Sequence, residues 1–143
     1  MTLGTTRPPL YTQRMQRVAD LMAGDLLTVE AGAPITDAVR SMDNRRVGAV
    51  LVLEGERLVG VFTERDVLRA VAHGLVPEAT VGEWMTHGPE TIDPDETAEH
   101  AAVLMIHGGF RHLPVVAEGK VIGILSIRDL MRSVLDDAAP RGV

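Results

Sequence analysis

The sequence predicts an α/β fold made of two similar units that pack as one body. Three observations predict it. The stretch from Gly60 to Leu68, GVFTERDVL, returns 63 residues later as GILSIRDLM, from Gly123 to Met131, matching in chemical type everywhere except at Glu64 against Ile127. The same offset, without a gap, relates Val18 to Val81, Met22 to Met85, Thr28 to Thr91, Ala38 to Ala101, Met42 to Met105 and Val52 to Val115, so the repeat spans roughly residues 18 to 137. A unit of about 60 residues buries only ~60% of its unfolded surface and is marginal alone, so two such units are expected to share a core.

Each element has a local reason. Residues 1–12, with Gly4, Pro8 and Pro9 amid threonines, read as a flexible arm. Residues 13–22 form a short helix with Met15, Val18, Leu21 and Met22 on one side, broken by Gly24 and Asp25. Leu26 to Val29 is extended. Pro34 opens a helix whose buried stripe is Ile35, Ala38, Val39 and Met42, because proline is tolerated in a first turn. Val47 to Leu53 is nearly all apolar, as in a strand covered on both faces. Glu54-Gly55-Glu56 is a tight turn and Leu58 to Phe62 the returning strand of a hairpin. Thr63 to His73 is a helix with Val67, Leu68 and Val71 inward, ended by Gly74.

The second unit repeats the plan. Thr80 caps a helical turn over residues 81–85, and Glu90 to Ile92 is extended. Asp95 caps a helix reaching about His107, and strands over 112–116 and 120–125 flank the turn Glu118-Gly119. Ser126 opens a last helix to about Asp136, and residues 138–143 form a loose tail. The expected organisation is therefore an arm (1–12), a first unit (13–76), a second unit (77–137) and the tail.

Composition narrows the function. A net charge of −6 with 3% aromatic residues argues against nucleic-acid binding, which favours basic surfaces and stacking rings. The absence of cysteine removes disulfides, thiol nucleophiles and zinc–thiolate sites, and fits the cytoplasm. The longest apolar run is far below the ~20 residues of a membrane span, and the N-terminus lacks a signal-peptide core. No Gly-x-Ser-x-Gly elbow, P-loop or dinucleotide fingerprint is present, and the histidines show no metal-ligand spacing, so neither an enzyme nor a protein-only metal site is expected.

Three motifs carry a resemblance. Each unit opens with Val-x-x-x-Met (Val18 to Met22, Val81 to Met85). The second contains Arg111-His112-Leu113-Pro114-Val115-Val116. Both contain Gly, two apolar residues, then Thr/Ser-x-x-Asp, ending at Asp66 and Asp129. In this order the chain resembles a tandem pair of CBS domains, named after cystathionine β-synthase, standing alone as a Bateman module. The resemblance implies units packed about a pseudo-twofold axis, two clefts that bind an adenosine compound (AMP, ADP, ATP, NAD(H) or S-adenosylmethionine), association into a flat homodimer, and a partner protein that reads the ligand-induced change.

The resemblance assigns ribose contact to Asp66 and Asp129. A helix N-terminus with Thr63 or Ser126 can hold a phosphate, and Arg111, His112 and Arg46 are candidates for the phosphate end, because arginine makes bidentate phosphate contacts. The adenine walls would come from Thr28, Val29, Ala49 and Val50, and from Thr91, Ile92, Leu113 and Pro114. A magnesium ion could accompany bound phosphates.

The plainer reading is that Thr63-x-x-Asp66 and Ser126-x-x-Asp129 only cap helices, that Arg46 completes a helix C-terminus, and that Val50 and Leu113 are core. Pro114, lacking an N–H, is placed to end strand pairing beside a cleft. Gly48-Ala49 stands where the second unit has Arg111-His112, so the two clefts are expected to differ, the one with Arg111 favouring the more charged ligand. The rival function is a ligand-free dimerisation or scaffold module.

Overall fold

The computed structural model describes residues 16–138. The predicted arm, Met15 and the tail beyond Ala138 lie outside them. In the first unit, β1 (Thr28–Glu30) leads through α2 (Ile35–Arg45) to β2 (Ala49–Glu54), and β3 (Arg57–Thr63) runs into α3 (Glu64–Ala72). The short helix α1 (Val18–Leu21) precedes them. The second unit has α4 (Val81–Trp84), β4 (Thr86–His87), α5 (Ala98–Gly108), β5 (His112–Ala117), β6 (Lys120–Ser126) and α6 (Ile127–Ala138).

The α/β fold with two tandem units is as the repeat predicts. β1 pairs parallel to β2, β2 antiparallel to β3, and β4 joins the far edge of β3, giving a sheet ordered β1-β2-β3-β4. β5 and β6 form the equivalent hairpin, flanked by single bridges from Ile92 to Val115 and from Ala23 to Ile124. Gly55 (φ 64°) and the pair Glu118 and Gly119 (φ 53° and 80°) turn the two hairpins through left-handed backbone.

Packing crosses between the units. Val81 and Met85, at the start of the second unit, lie in the first unit's core with Ile35, Met42, Val52 and Phe62. Val18, at the start of the first, lies in the second unit's core with Ile92, Met105, Leu113 and Leu125. Backbone bonds follow the same exchange: Gly82 N–H donates to Ala31 C=O (2.8 Å), and Val18 N–H donates to Glu96 C=O (2.8 Å). Fully burying each valine contributes about 1.5–3 kcal/mol. A third cluster of Ala49, Leu51 and Val61 takes in Val121 and Ile124 and joins the sheets. The exchange explains why Gly60 and Gly123 match: a Cβ on Gly60 would stand 2.8 Å from Thr86 C=O and collide with Met85, and one on Gly123 would stand 3.0 Å from Ala23 C=O and collide with Met22.

Three expectations are corrected. Leu68 and Val71 point outward, at 68% and 56% exposure, because α3 buries Asp66 and Ala70 instead. The cap of α5 is Thr97, whose hydroxyl accepts from His100 N–H (3.1 Å). Asp95 is held earlier, its N–H donating to Asp93 Oδ1 (2.8 Å). Pro114 does not end β5 but pairs within it, opposite Ile124. Its missing N–H faces Ile92, on the side where pairing is only a bridge, so no ladder bond is lost.

Candidate functional site

The junction of β3 with α3 is built around a carboxylate. Thr63 has extended backbone and caps α3. Its N–H and hydroxyl donate to Asp66 Oδ2 (2.9 and 3.1 Å), and its oxygen accepts from Asp66 N–H (3.3 Å). Asp66 Oδ1 meets Arg69 Nη1 at 3.0 Å. These four contacts explain how a charged residue stays 3% exposed. Arg69 also lies 5.6 Å above the ring centre of Trp84, a cation–π arrangement. His73 accompanies them, 5.6 Å from that ring and with Nδ1 2.8 Å from Arg69 C=O.

The β6–α6 junction repeats the box more loosely. Ser126 N–H donates to Asp129 Oδ2 (2.9 Å) and Asp129 N–H to Ser126 Oγ (3.0 Å). Arg132 stands 3.9 Å from Asp129 Oδ1, and the aspartate side chain is 22% exposed against 5% for Asp66. Leu21 occupies the place that the repeat gives Trp84, so no such stacking forms there.

A cavity of about 620 Å³ lies between the units. Thr63, Glu64, Arg65 and Asp66 line one side, and Phe110, Arg111 and His112 line the other. Val61, Leu68 and Pro89 add apolar surface, and Thr86 and Glu90 come from the segment after α4. Arg111 and His112 thus belong to the cleft of Asp66, a pairing that the linear order leaves open.

His112 sits at the pivot of both boxes. It pairs with Ser126 across β5 and β6 and also faces the cavity. Burial holds its pKa below 6.5, against the opposing pull of the Glu64 and Asp129 carboxylates. A neutral imidazole there can donate and accept one hydrogen bond each.

Four candidates therefore meet in one cavity: Thr63, Asp66, Arg111 and His112. Ser126 and Asp129 form their own junction outside that lining. Arg46 ends α2 in left-handed backbone (φ 56°), in the position of Gly109, and does not line the cavity. Of the proposed adenine walls, Val50, Leu113 and Pro114 are fully buried, Ala49 and Ile92 nearly so, Val29 is half-buried, and Thr28 and Thr91 are exposed; none lines this cavity. Glu64, Arg65, Glu90 and Phe110 are cavity residues not singled out as ligands from the sequence. For Glu64 the signal existed, since it is the one mismatch in the nine-residue repeat. Among the described residues no cluster of three or more His, Asp or Glu could hold a metal, and no helix is long and apolar enough to cross a membrane.

Comparison with known proteins agrees with this architecture. The chain is 33% identical over 117 residues to the CBS domain-containing protein YhcV of Bacillus subtilis, covering 81% of this chain and 84% of that one. It is 39% identical over 131 residues to CBSCBSPB2 of Arabidopsis thaliana, covering 87% of this chain but only 24% of that longer protein. Among solved structures, a putative signal-transduction protein with CBS domains from Burkholderia ambifaria superposes with a TM-score of 0.83 at 31% identity, covering 90% of this chain and 100% of that one. The CBS domain protein PAE2072 of Pyrobaculum aerophilum, complexed with AMP, gives 0.77 at 29% (86% and 98% covered). The CBS domain pair of protein MJ0100, in complex with 5′-methylthioadenosine and S-adenosyl-L-methionine, gives 0.76 at 25% (82% and 98%). The CBS domain family model matches residues 18–73 and 81–136, and the chain belongs to that family.

Proposed function

We propose that this chain is a regulatory module that binds an adenosine-containing ligand between its units and passes a conformational change to a partner protein. The cavity carries the reading, because it sets the Thr63–Asp66 box of one unit against Arg111 and His112 of the other. Its volume of about 620 Å³ suits a small ligand, for which pockets of ~300–1,000 Å³ are typical. Relatives solved with AMP and with S-adenosylmethionine support the ligand class.

In this reading Asp66 accepts from the ribose hydroxyls, Thr63 and the first turn of α3 receive the adjoining polar group, and Arg111 takes the anionic end. Asp129 and Ser126 make the second, more open ribose-type site. The module acts in the cytoplasm by binding and not by catalysis.

The route of the signal begins at Asp66. A ribose diol competes with Arg69 for Oδ1, and Arg69 stacks on Trp84 in α4. Ligand entry therefore bears on the helix that crosses between units. Such coupling requires the ligand to bind the two arrangements unequally.

Homodimerisation is proposed through the outer faces of α3 and α6. Leu68 and Val71 repeat as Met131 and Val134, all four more than half exposed. Paired apolar helices of this kind mark an interaction surface. The same stripe favours a second reading, a scaffold module that binds no ligand and whose aspartates only cap helices.

Thermal melting separates the two. AMP, ATP, NADH or S-adenosylmethionine at ~100 times its dissociation constant should add about 2.7 kcal/mol of stability. No shift with any of them leaves the scaffold reading.

A further inference from the structure

The cavity beside Asp66 is not a simple anion pocket. The charge of Asp66 is met by Arg69 at 3.0 Å. What remains on the lining is balanced: Glu64 and Glu90 against Arg65 and Arg111. Among the described residues none of these four forms an ion pair. A wholly anionic ligand would meet two carboxylates as well as two guanidinium groups.

The placement of Glu64 is tied to a second position. Glu64 N–H donates to Gly48 C=O (3.0 Å), and a Cβ added to Gly48 would stand 2.8 Å from Glu64 Oε1. The bare glycine thus makes room for the carboxylate. In the second unit the same two positions hold Arg111 and Ile127, joined by the same backbone bond, Ile127 N–H to Arg111 C=O (2.8 Å). Gly/Glu in one unit has become Arg/Ile in the other, and the two charges that result, Glu64 and Arg111, line one cavity. A carboxylate in a first helical turn suits the helix dipole, but α6 forms with Ile127 at that place, so capping does not require it.

From this we infer that the cleft selects an adenosine ligand whose 5′ substituent is zwitterionic, an amino-acid-like tail with its carboxylate toward Arg111 and its positive centre toward Glu64. Glu64 is the specificity-determining residue, disfavouring a 5′-phosphate. The inference rests on the adenosine reading of the same cleft and narrows it.

Calorimetry with three ligands tests it on the full chain: S-adenosylmethionine (a zwitterionic amino-acid end beside a cationic sulfonium), 5′-methylthioadenosine (uncharged tail) and AMP (anionic tail). The wild-type protein is expected to bind S-adenosylmethionine most tightly. Glu64→Gln should weaken that ligand roughly 5–10-fold, leave 5′-methylthioadenosine within about twofold, and tighten AMP about threefold or more. Glu64 is exposed, and a melting curve without ligand checks that the variant folds. AMP binding more tightly than S-adenosylmethionine to the wild type overturns the inference and leaves the adenosine reading standing. So does a change in the variant that is equal for all three ligands or absent. If none of the three binds, the adenosine reading falls and takes this one with it.

Discussion

A single carboxylate can cap a helix and receive a ligand only if some of its acceptor capacity is spare. Asp66 is nearly spent: Thr63 uses Oδ2 twice and Arg69 uses Oδ1. Asp129 has its Oδ1 facing an arginine at only 3.9 Å. Asp66→Ala should therefore destabilise the fold by about 1–3 kcal/mol, and more than Asp129→Ala, in denaturant titrations. Both should weaken adenosine binding about tenfold, and stability loss without affinity loss would leave capping as their whole role. His112 sets a pH dependence. Its folded pKa lies below 6.5, so the unfolded chain binds the extra proton between the two values. Its contribution is complete above about pH 6.5, the ordinary value, and is lost as pH falls through the folded pKa. His112→Asn should flatten the fall in melting temperature between pH 7 and 5. At this scale the sequence was partly readable. Thr63 and Asp66 announce themselves by spacing, and Glu64 by mismatch. That Arg111 faces Asp66 depends on how the sheets meet, which no local pattern encodes.

Helix α3 is apolar on two sides, so its periodicity alone does not single out the buried face. A 3.6-residue period fits Val67, Leu68 and Val71 as well as it fits the buried line through Asp66 and Ala70. The deciding factor is the cap: Thr63 turns Asp66 inward, Val67 stays half-buried against the core, and Leu68 and Val71 fall on the outside. α6 inherits the same geometry through the repeat, which leaves two matched stripes. Leu68→Asp with Met131→Asp should convert a dimer to a monomer in sedimentation equilibrium while sparing the melting of the monomer. Unchanged mass would remove these helices from the interface. α4 offers an optical check of the signalling route. Trp84 is the only tryptophan, and Arg69 stacks on it. Ligand entry at Asp66 should change its emission, and Arg69→Met should abolish that change; a signal that persists in the variant would break the proposed link.

Across the whole molecule, the 63-residue register disclosed two copies but not their exchange of opening helices. The same sequence pairs, Met22 with Gly123 and Met85 with Gly60, are compatible with helices that stay at home, since each copy has a Met and a Gly. Only the packing shows that each methionine serves the other unit. Gly60→Ala drives a Cβ against the backbone of Thr86 and should cost about 1–3 kcal/mol, typical of an overfilled core. It should also lower the single melting transition of the whole chain and not of one unit. The exchange has a further consequence for cutting and rejoining. Severing the chain between Gly74 and Glu78 would leave each fragment carrying a helix that its counterpart lacks. Neither should hold its shape by itself, yet mixed together they should reassemble, because the missing key of each is already attached to the other. The module is thus a natural split reporter, whose halves recognise one another by completing each other's interior.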